Sequence, residues 1–318
     1  MDINQKIEAL GIVPVVVIND VEDAIPLCKA LCDGGLPVAE ITFRTAAAQE
    51  SIARVSKELP NMLVGAGTVL SVEQVDQAIS AGAKFIVTPG FDEKVVAYCV
   101  EKGYPIFPGC PTTSDISKAM SMGLRVVKFF PAEAMGGLKV IKAVAAPYGM
   151  MRFMPTGGVN EKNLLDYLGY EKIIACGGSW MCDKDAIKAK DWDKIASITR
   201  SAVQKMLGFE IKHVGINCES AEEAMKVAKQ FTAIFGWAVK DGNSSTFSGT
   251  AVECMKNPGP GTKGHIAIGT TSVLRGKAYL ESLGFEFDEA SAKYKGDLLN
   301  AIYLKDEIAG FAVHLVTK

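Results

Sequence analysis

Two ionisable residues stand where the sequence is otherwise apolar. Lys128 lies in Val126-Val127-Lys128-Phe129-Phe130-Pro131, and Glu40 lies in Val38-Ala39-Glu40-Ile41-Thr42-Phe43. In a strand, residue 128 shares its face with residues 126 and 130. Burial there disfavours the ammonium form and leaves an amine that attacks carbonyls, so one reading of Lys128 is a Schiff-base lysine. The other is a lysine at a strand end that reaches solvent. A carboxylate in a buried strand is costly unless it is paired or functional. The first 212 residues contain no histidine. Glu40 is therefore the available proton shuttle, or else the partner of Lys128 or Arg44 in a structural ion pair. Arg44 follows at the strand end, where a guanidinium can fork onto a substrate carboxylate. Thr68 ends a third apolar run with a hydroxyl. Gly157-Gly158 and Gly177-Gly178-Ser179 end two later runs, either as simple tight turns or as a phosphate cradle of backbone N–H groups. Together these residues describe a metal-free aldolase acting on a phosphorylated 2-keto acid.

The elements that must position them are legible as a repeat. Eight apolar runs begin at residues 13, 38, 63, 85, 105, 126, 152 and 173, and a helical pattern follows each. Buried strands alternating with helices mean parallel pairing. Eight such units in about 200 residues predict a closed (β/α)8 barrel, an α/β fold with its site at the C-terminal strand ends. A doubly wound open sheet is the rival, but no G-x-G-x-x-G follows the first run. Gly65-Ala-Gly-Thr68, Thr88-Pro89-Gly90, Pro108-Gly-Cys110 and Pro155-Thr-Gly-Gly158 place small residues where backbone must approach a ligand.

Composition bounds the rest. The 318 residues are 48% hydrophobic, enough for more than one core, and the net charge of −2 argues against nucleic acid or an anionic membrane as the partner. No apolar stretch reaches membrane-spanning length, and the first residues, MDINQKIEAL, do not read as a secretory signal. Eight cysteines without metal-type spacing suit a reducing cytoplasm. Cys28 and Cys32, one helical turn apart, read as two buried core thiols.

From residue 1 to about 207 the chain resembles the 2-keto-3-deoxy-6-phosphogluconate aldolases, which often also cleave 4-hydroxy-2-oxoglutarate. The resemblance rests on Glu40-Ile-Thr-Phe-Arg44-Thr, Gly65-Ala-Gly-Thr68-Val, Thr88-Pro89-Gly90, Lys128-Phe-Phe-Pro-Ala-Glu133, Pro155-Thr-Gly-Gly158 and Gly177-Gly-Ser-Trp180. It implies that Lys128 forms the imine, that Glu40 moves protons, and that Arg44 and Thr68 hold the pyruvate portion. It implies phosphate contacts from Gly158 and Ser179, with Pro89, Phe130, Thr156, Gly157 and Gly178 also at the substrate. It further implies a homotrimer that needs no cofactor. Pro111 and Asp115 depart from the family's pattern. A phosphate-binding barrel isomerase or epimerase is the alternative, against which Lys128 and Glu40 both argue.

Residues 208–318 change character and contain an internal repeat. His213-Val-Gly-Ile is followed seven residues on by Ser220, and His265-Ile-Ala-Ile by Ser272. Helical runs follow both serines, then short strand-like pieces: three in the first copy, four in the second. Ser220 with Glu223 predicts a capping box. The expectation is a smaller α+β domain of two tandem βαβββ units, joined by the loop 257–264. This arrangement resembles the vicinal-oxygen-chelate, or glyoxalase-like, superfamily, in which each copy supplies one metal ligand from its first strand and one from its last. Carried over, those positions are His213, Glu253, His265 and His314, a set suited to Zn, Fe, Mn, Ni or Co. The alternatives are half-buried histidines without metal and a non-catalytic module for oligomerisation or sensing.

Overall fold

The computed structural model describes residues 1–318. The chain divides into two compact units, Met1–Met206 and Leu207–Lys318. In the first, eight strands follow in order: β1 (Ile12–Val16), β2 (Val38–Thr42), β3 (Leu63–Gly67), β4 (Ile86–Val87), β5 (Ile106–Phe107), β6 (Val126–Phe129), β7 (Arg152–Pro155) and β8 (Cys176–Gly178). All ladders are parallel, and β5-β4-β3-β2-β1-β8 form one sheet with β6-β7 beside it. Single bridges, Gly109 with Lys128 and Thr156 with Gly177, close the ring on both sides of the β6-β7 pair. The result is a (β/α)8 barrel.

Strand ends shorten where special residues take over. The apolar run from residue 85 predicts a strand of ordinary length, yet β4 has only two residues, because Thr88-Pro89-Gly90 turns away and proline offers no N–H to a ladder. The run from Ile173 contributes only Cys176–Gly178 to β8, Ile173 making an isolated bridge to Phe153. Helices start on side-chain caps: Ser71 accepts from Gln74 N, Asp92 from Val95 N, and Thr112 from Asp115 N. Cys28 is buried on the helix Ala24–Asp33, but Cys32 is only half-buried, because it sits at the helix end beside Gly34.

The second unit is one eight-stranded sheet. Its strands are β9 (Glu210–Asn217), β10 (Val239–Asp241), β11 (Ser245–Ser248), β12 (Val252–Met255), β13 (Gly264–Thr270), β14 (Phe287–Lys295), β15 (Leu298–Leu304) and β16 (Phe311–Thr317). The order is β10-β11-β12-β9-β13-β16-β15-β14. Each copy is βαβββ, with helices Ala221–Phe235 and Val273–Ser282 on their respective halves. The first strands, β9 and β13, pair antiparallel at the centre, and each pairs parallel with its own copy's last strand. Two of the four pieces expected in the second copy merge into β14. Register shifts between Asp288 and Tyr294 absorb the extra residues as an irregular stretch. Ser220 caps its helix, but Glu223 reaches back to Glu219 N at 2.7 Å rather than to Ser220, so the box is offset by one residue.

Candidate functional site

The barrel interior holds a buried ion pair. Lys128 Nζ donates to Glu40 Oε1 at 3.2 Å, and the two residues are 5% and 0% exposed. The strand-end reading of Lys128, with its amine in solvent, is therefore excluded. Glu40 Oε2 is buried and has no partner. One carboxylate oxygen thus pairs with the Lys128 amine while the other makes no hydrogen bond. Gly67, at the end of β3, makes room for this: a side chain there would strike the Glu40 carboxyl. The Phe130 ring lies 5.3 Å from Lys128 Nζ. Gly109, the bridge partner of Lys128, packs against the Pro89 carbonyl, where no side chain fits.

A cleft of about 1280 Å³ opens at the strand ends; Lys128, Glu40, Thr68 and Pro89 do not line it, and Phe130, 5.3 Å from Lys128 Nζ, stands between the pair and the cleft. Arg44, Phe130, Thr156, Gly157, Gly158, Gly178 and Ser179 all line it. Arg44 Nε donates to Thr68 Oγ1 at 3.3 Å, and Thr68 adopts φ +54°, rare for a β-branched residue. Such backbone strain persists only where the surroundings over-determine it, and it concentrates at ligand sites. Thr156 Oγ1 is buried without a partner. Gly157 and Gly158 have φ +97° and +84°, and the N–H groups of Gly158 and Val159 make no backbone hydrogen bond. Successive free amides in left-handed backbone form a concavity for an anion. Sequence reasoning missed Asn19, Lys184 and Lys188 in this cleft, and the Lys190–Asp23 contact at 3.2 Å beside them. Lys184 and Lys188 lie on the short helix Lys184–Ala189 and Lys190 caps its end, a six-residue element too short to carry a clear periodic signal.

The second unit brings a different group together. Ring nitrogens of His213, His265 and His314 all lie within 4.8 Å of one another. Glu253 Oε2 stands 3.1 Å from His213 Nε2 and 3.2 Å from His265 Nε2. Neither nitrogen of His314 has a partner, although the residue is buried. Burial would raise the Glu253 carboxyl, but hydrogen bonds from His213, His265 and Ser245 outweigh it and hold it well below the usual range. Burial first, and then the two neighbouring imidazoles, lower His314 to about 4. The Tyr303 ring stacks on His314 at 4.5 Å. A cavity of about 870 Å³ opens over all four residues.

The family model described as KDPG and KHG aldolase matches residues 3–198. The chain is similar to the 2-dehydro-3-deoxy-phosphogluconate aldolase of Treponema pallidum, 45% identical over 200 residues, which are 63% of this chain and 95% of that protein. It is similar to the KHG/KDPG aldolase of Escherichia coli K12, 42% identical over 61% of this chain and 91% of that one. Among solved structures, a KDPG aldolase from Legionella pneumophila holding pyruvate as a covalent carbinolamine superposes with TM-score 0.61 at 34% identity, covering 63% of this chain and 97% of that one.

Proposed function

This chain belongs to the KDPG and KHG aldolase family, and on that premise we propose how its own residues perform the reaction. The barrel is a class I aldolase, a lyase that splits 2-keto-3-deoxy-6-phosphogluconate into pyruvate and glyceraldehyde 3-phosphate. The observation that carries the assignment of roles is the buried Lys128–Glu40 pair beside Phe130, which lines the glycine-rich cleft. Glu40 takes a proton from Lys128, and the neutral amine attacks the C2 ketone. Glu40 returns a proton to the carbinolamine hydroxyl, water leaves, and an iminium forms. Glu40 then takes the C4 hydroxyl proton, the C3–C4 bond breaks, and its electron pair passes into the iminium to give an enamine. Glyceraldehyde 3-phosphate leaves. Protonation at C3 and hydrolysis release pyruvate and restore the amine. Arg44, oriented by Thr68, holds the pyruvate carboxylate. Pro89 and Phe130 wall the imine, and Thr156 faces it. Gly157, Gly158, Gly178 and Ser179 receive the phosphate. The same lysine, glutamate and carboxylate-binding groups serve 4-hydroxy-2-oxoglutarate, a five-carbon dicarboxylate that ends in a carboxylate and has no phosphate to place there.

Borohydride trapping with pyruvate tests this assignment. Lys128→Ala should abolish the trapped adduct, and Glu40→Gln should slow cleavage by about 10²- to 10⁴-fold. An adduct persisting in Lys128→Ala would move the imine to another lysine.

For the second unit we propose a divalent metal centre of the glyoxalase-like kind, held by His213, Glu253, His265 and His314. Ligands about 2.1 Å from a common ion lie roughly 3.0–3.4 Å apart, and the nitrogen–oxygen separations of 3.1 and 3.2 Å match that. The orphaned buried nitrogens of His314 also fit a missing cation. Three imidazoles and a carboxylate suit Zn, Ni, Mn, Fe or Co. Such an ion would act as a Lewis acid on an oxygen ligand entering from the cavity. Metal analysis of the purified full chain, with and without added Zn, Ni or Mn, tests it. No bound metal would favour a non-catalytic oligomerisation or sensing module. By the family resemblance the chain is proposed to be a homotrimer, which sedimentation checks. A cytoplasmic location is proposed on the eight free thiols.

A further inference from the structure

The turn after β7 is braced from behind by a contact that the reaction does not use. The Tyr167 hydroxyl, on the helix Leu164–Leu168, donates to Glu133 Oε1. Tyr167 is 1% exposed, so packing fixes its ring. Glu133 lies in the turn after β6. Its N–H donates to Gly157 O at 3.0 Å, and its Cβ and Cγ press on Gly158, where an added side chain would meet them at 2.5 Å. The Glu133 stem is thus packed against the turn that carries the amides of Gly157 and Gly158, yet Glu133 does not line the cleft. A carboxylate swung onto those amides would occupy or repel any anion bound there.

We propose that Tyr167 is a positioning residue whose hydroxyl holds the Glu133 carboxylate behind the Gly157–Gly158 turn, keeping a competing negative charge out of the phosphate subsite. The proposal rests on reading that turn as the phosphate subsite. It makes charge, and not only packing, the quantity at stake. In Tyr167→Phe the freed carboxylate raises both KM for the phosphorylated keto acid and the inhibition constant of inorganic phosphate, each about tenfold. Borohydride trapping of pyruvate, which carries no phosphate, proceeds at the wild-type rate. Adding Glu133→Gln to Tyr167→Phe restores both constants. Equal losses with phosphate and with pyruvate would show a merely structural tyrosine and overturn the proposal, as would failure of Glu133→Gln to restore phosphate binding. Both results leave the subsite itself standing. Absence of inhibition by inorganic phosphate in the wild-type protein would instead remove the subsite, and the proposal with it.

Discussion

Glu40 shows how much a single residue depends on the space around it. Its carboxyl is fully buried, bonded to Lys128 through one oxygen and unpartnered at the other. Truncating either member of such a pair leaves an uncompensated buried charge, so loss of activity and loss of stability are confounded in those variants. Gly67 offers a cleaner probe, because substituting it moves the Glu40 carboxyl while keeping both charges of the pair. Gly67→Ala should displace the Glu40 carboxyl, lower kcat by one to two orders of magnitude, and destabilise the barrel by about 1–3 kcal/mol. Steady-state kinetics and a urea titration would check both. An unchanged kcat would mean that the position of Glu40 is not critical. From the sequence, Lys128 and Glu40 were each legible as misplaced charges. Their mutual distance was not, since 88 residues separate them.

At the scale of elements, strand register decides which atoms meet. On β12, Glu253 sits opposite Phe247 of β11, and Ser245 reaches it from two residues along the same strand, Oγ donating to Oε1 at 2.6 Å. This fixes the carboxylate so that Oε2 faces the imidazoles. Outer hydrogen bonds of this kind commonly carry 10- to 100-fold in metal affinity. Ser245→Ala should therefore weaken metal binding by roughly that factor while His213, His265 and His314 stay in place, as read by competition against a chromophoric chelator. The four proposed ligand positions were visible as the first and last strands of a repeat. Ser245 carried no signal, because only the antiparallel β11-β12 register brings it near Glu253. The merging of two expected pieces into β14 has the same origin: an irregular stretch in a strand looks like a turn when only local pattern is read.

For the whole molecule, the two sites predict separable responses to solution conditions. The proposed imine route through Lys128 and Glu40 involves no metal, so a chelator should leave pyruvate production unchanged while it strips any ion held at the proposed centre of the second unit. Added metal should raise that unit's unfolding temperature by mass action. Without metal, acid should be destabilising. The folded pKa of His314, about 4, lies below its ordinary 6.5. The unfolded chain therefore binds the extra proton first, and stability falls as pH drops from about 6.5 to 4. Below 4 the loss is complete, at about 3 kcal/mol for this group. Glu253, held below its usual range, adds to the loss in the same direction at still lower pH. A urea series across pH 4–7 on metal-free protein would measure the slope. His314→Asn, which cannot titrate there, should flatten it.

The sequence by itself determined the periodic and the anomalous: eight buried runs with helices between them, a duplicated βαβββ pattern, a lysine and a glutamate where apolar residues belong, and glycines at strand ends. These are local signals, carried by neighbours in the chain. Only the tertiary structure decided what depends on distant segments meeting. Closure of the ring by the Gly109–Lys128 and Thr156–Gly177 bridges sets Lys128 against Glu40. The left-handed Thr68 turns its hydroxyl to Arg44. Tyr167 catches Glu133 across 34 residues. The pairing of β9 with β13, with β12 and β16 on their outer edges, brings three histidines together and sets Glu253 against two of them. Each follows from packing and register, which a linear pattern of residue types does not encode.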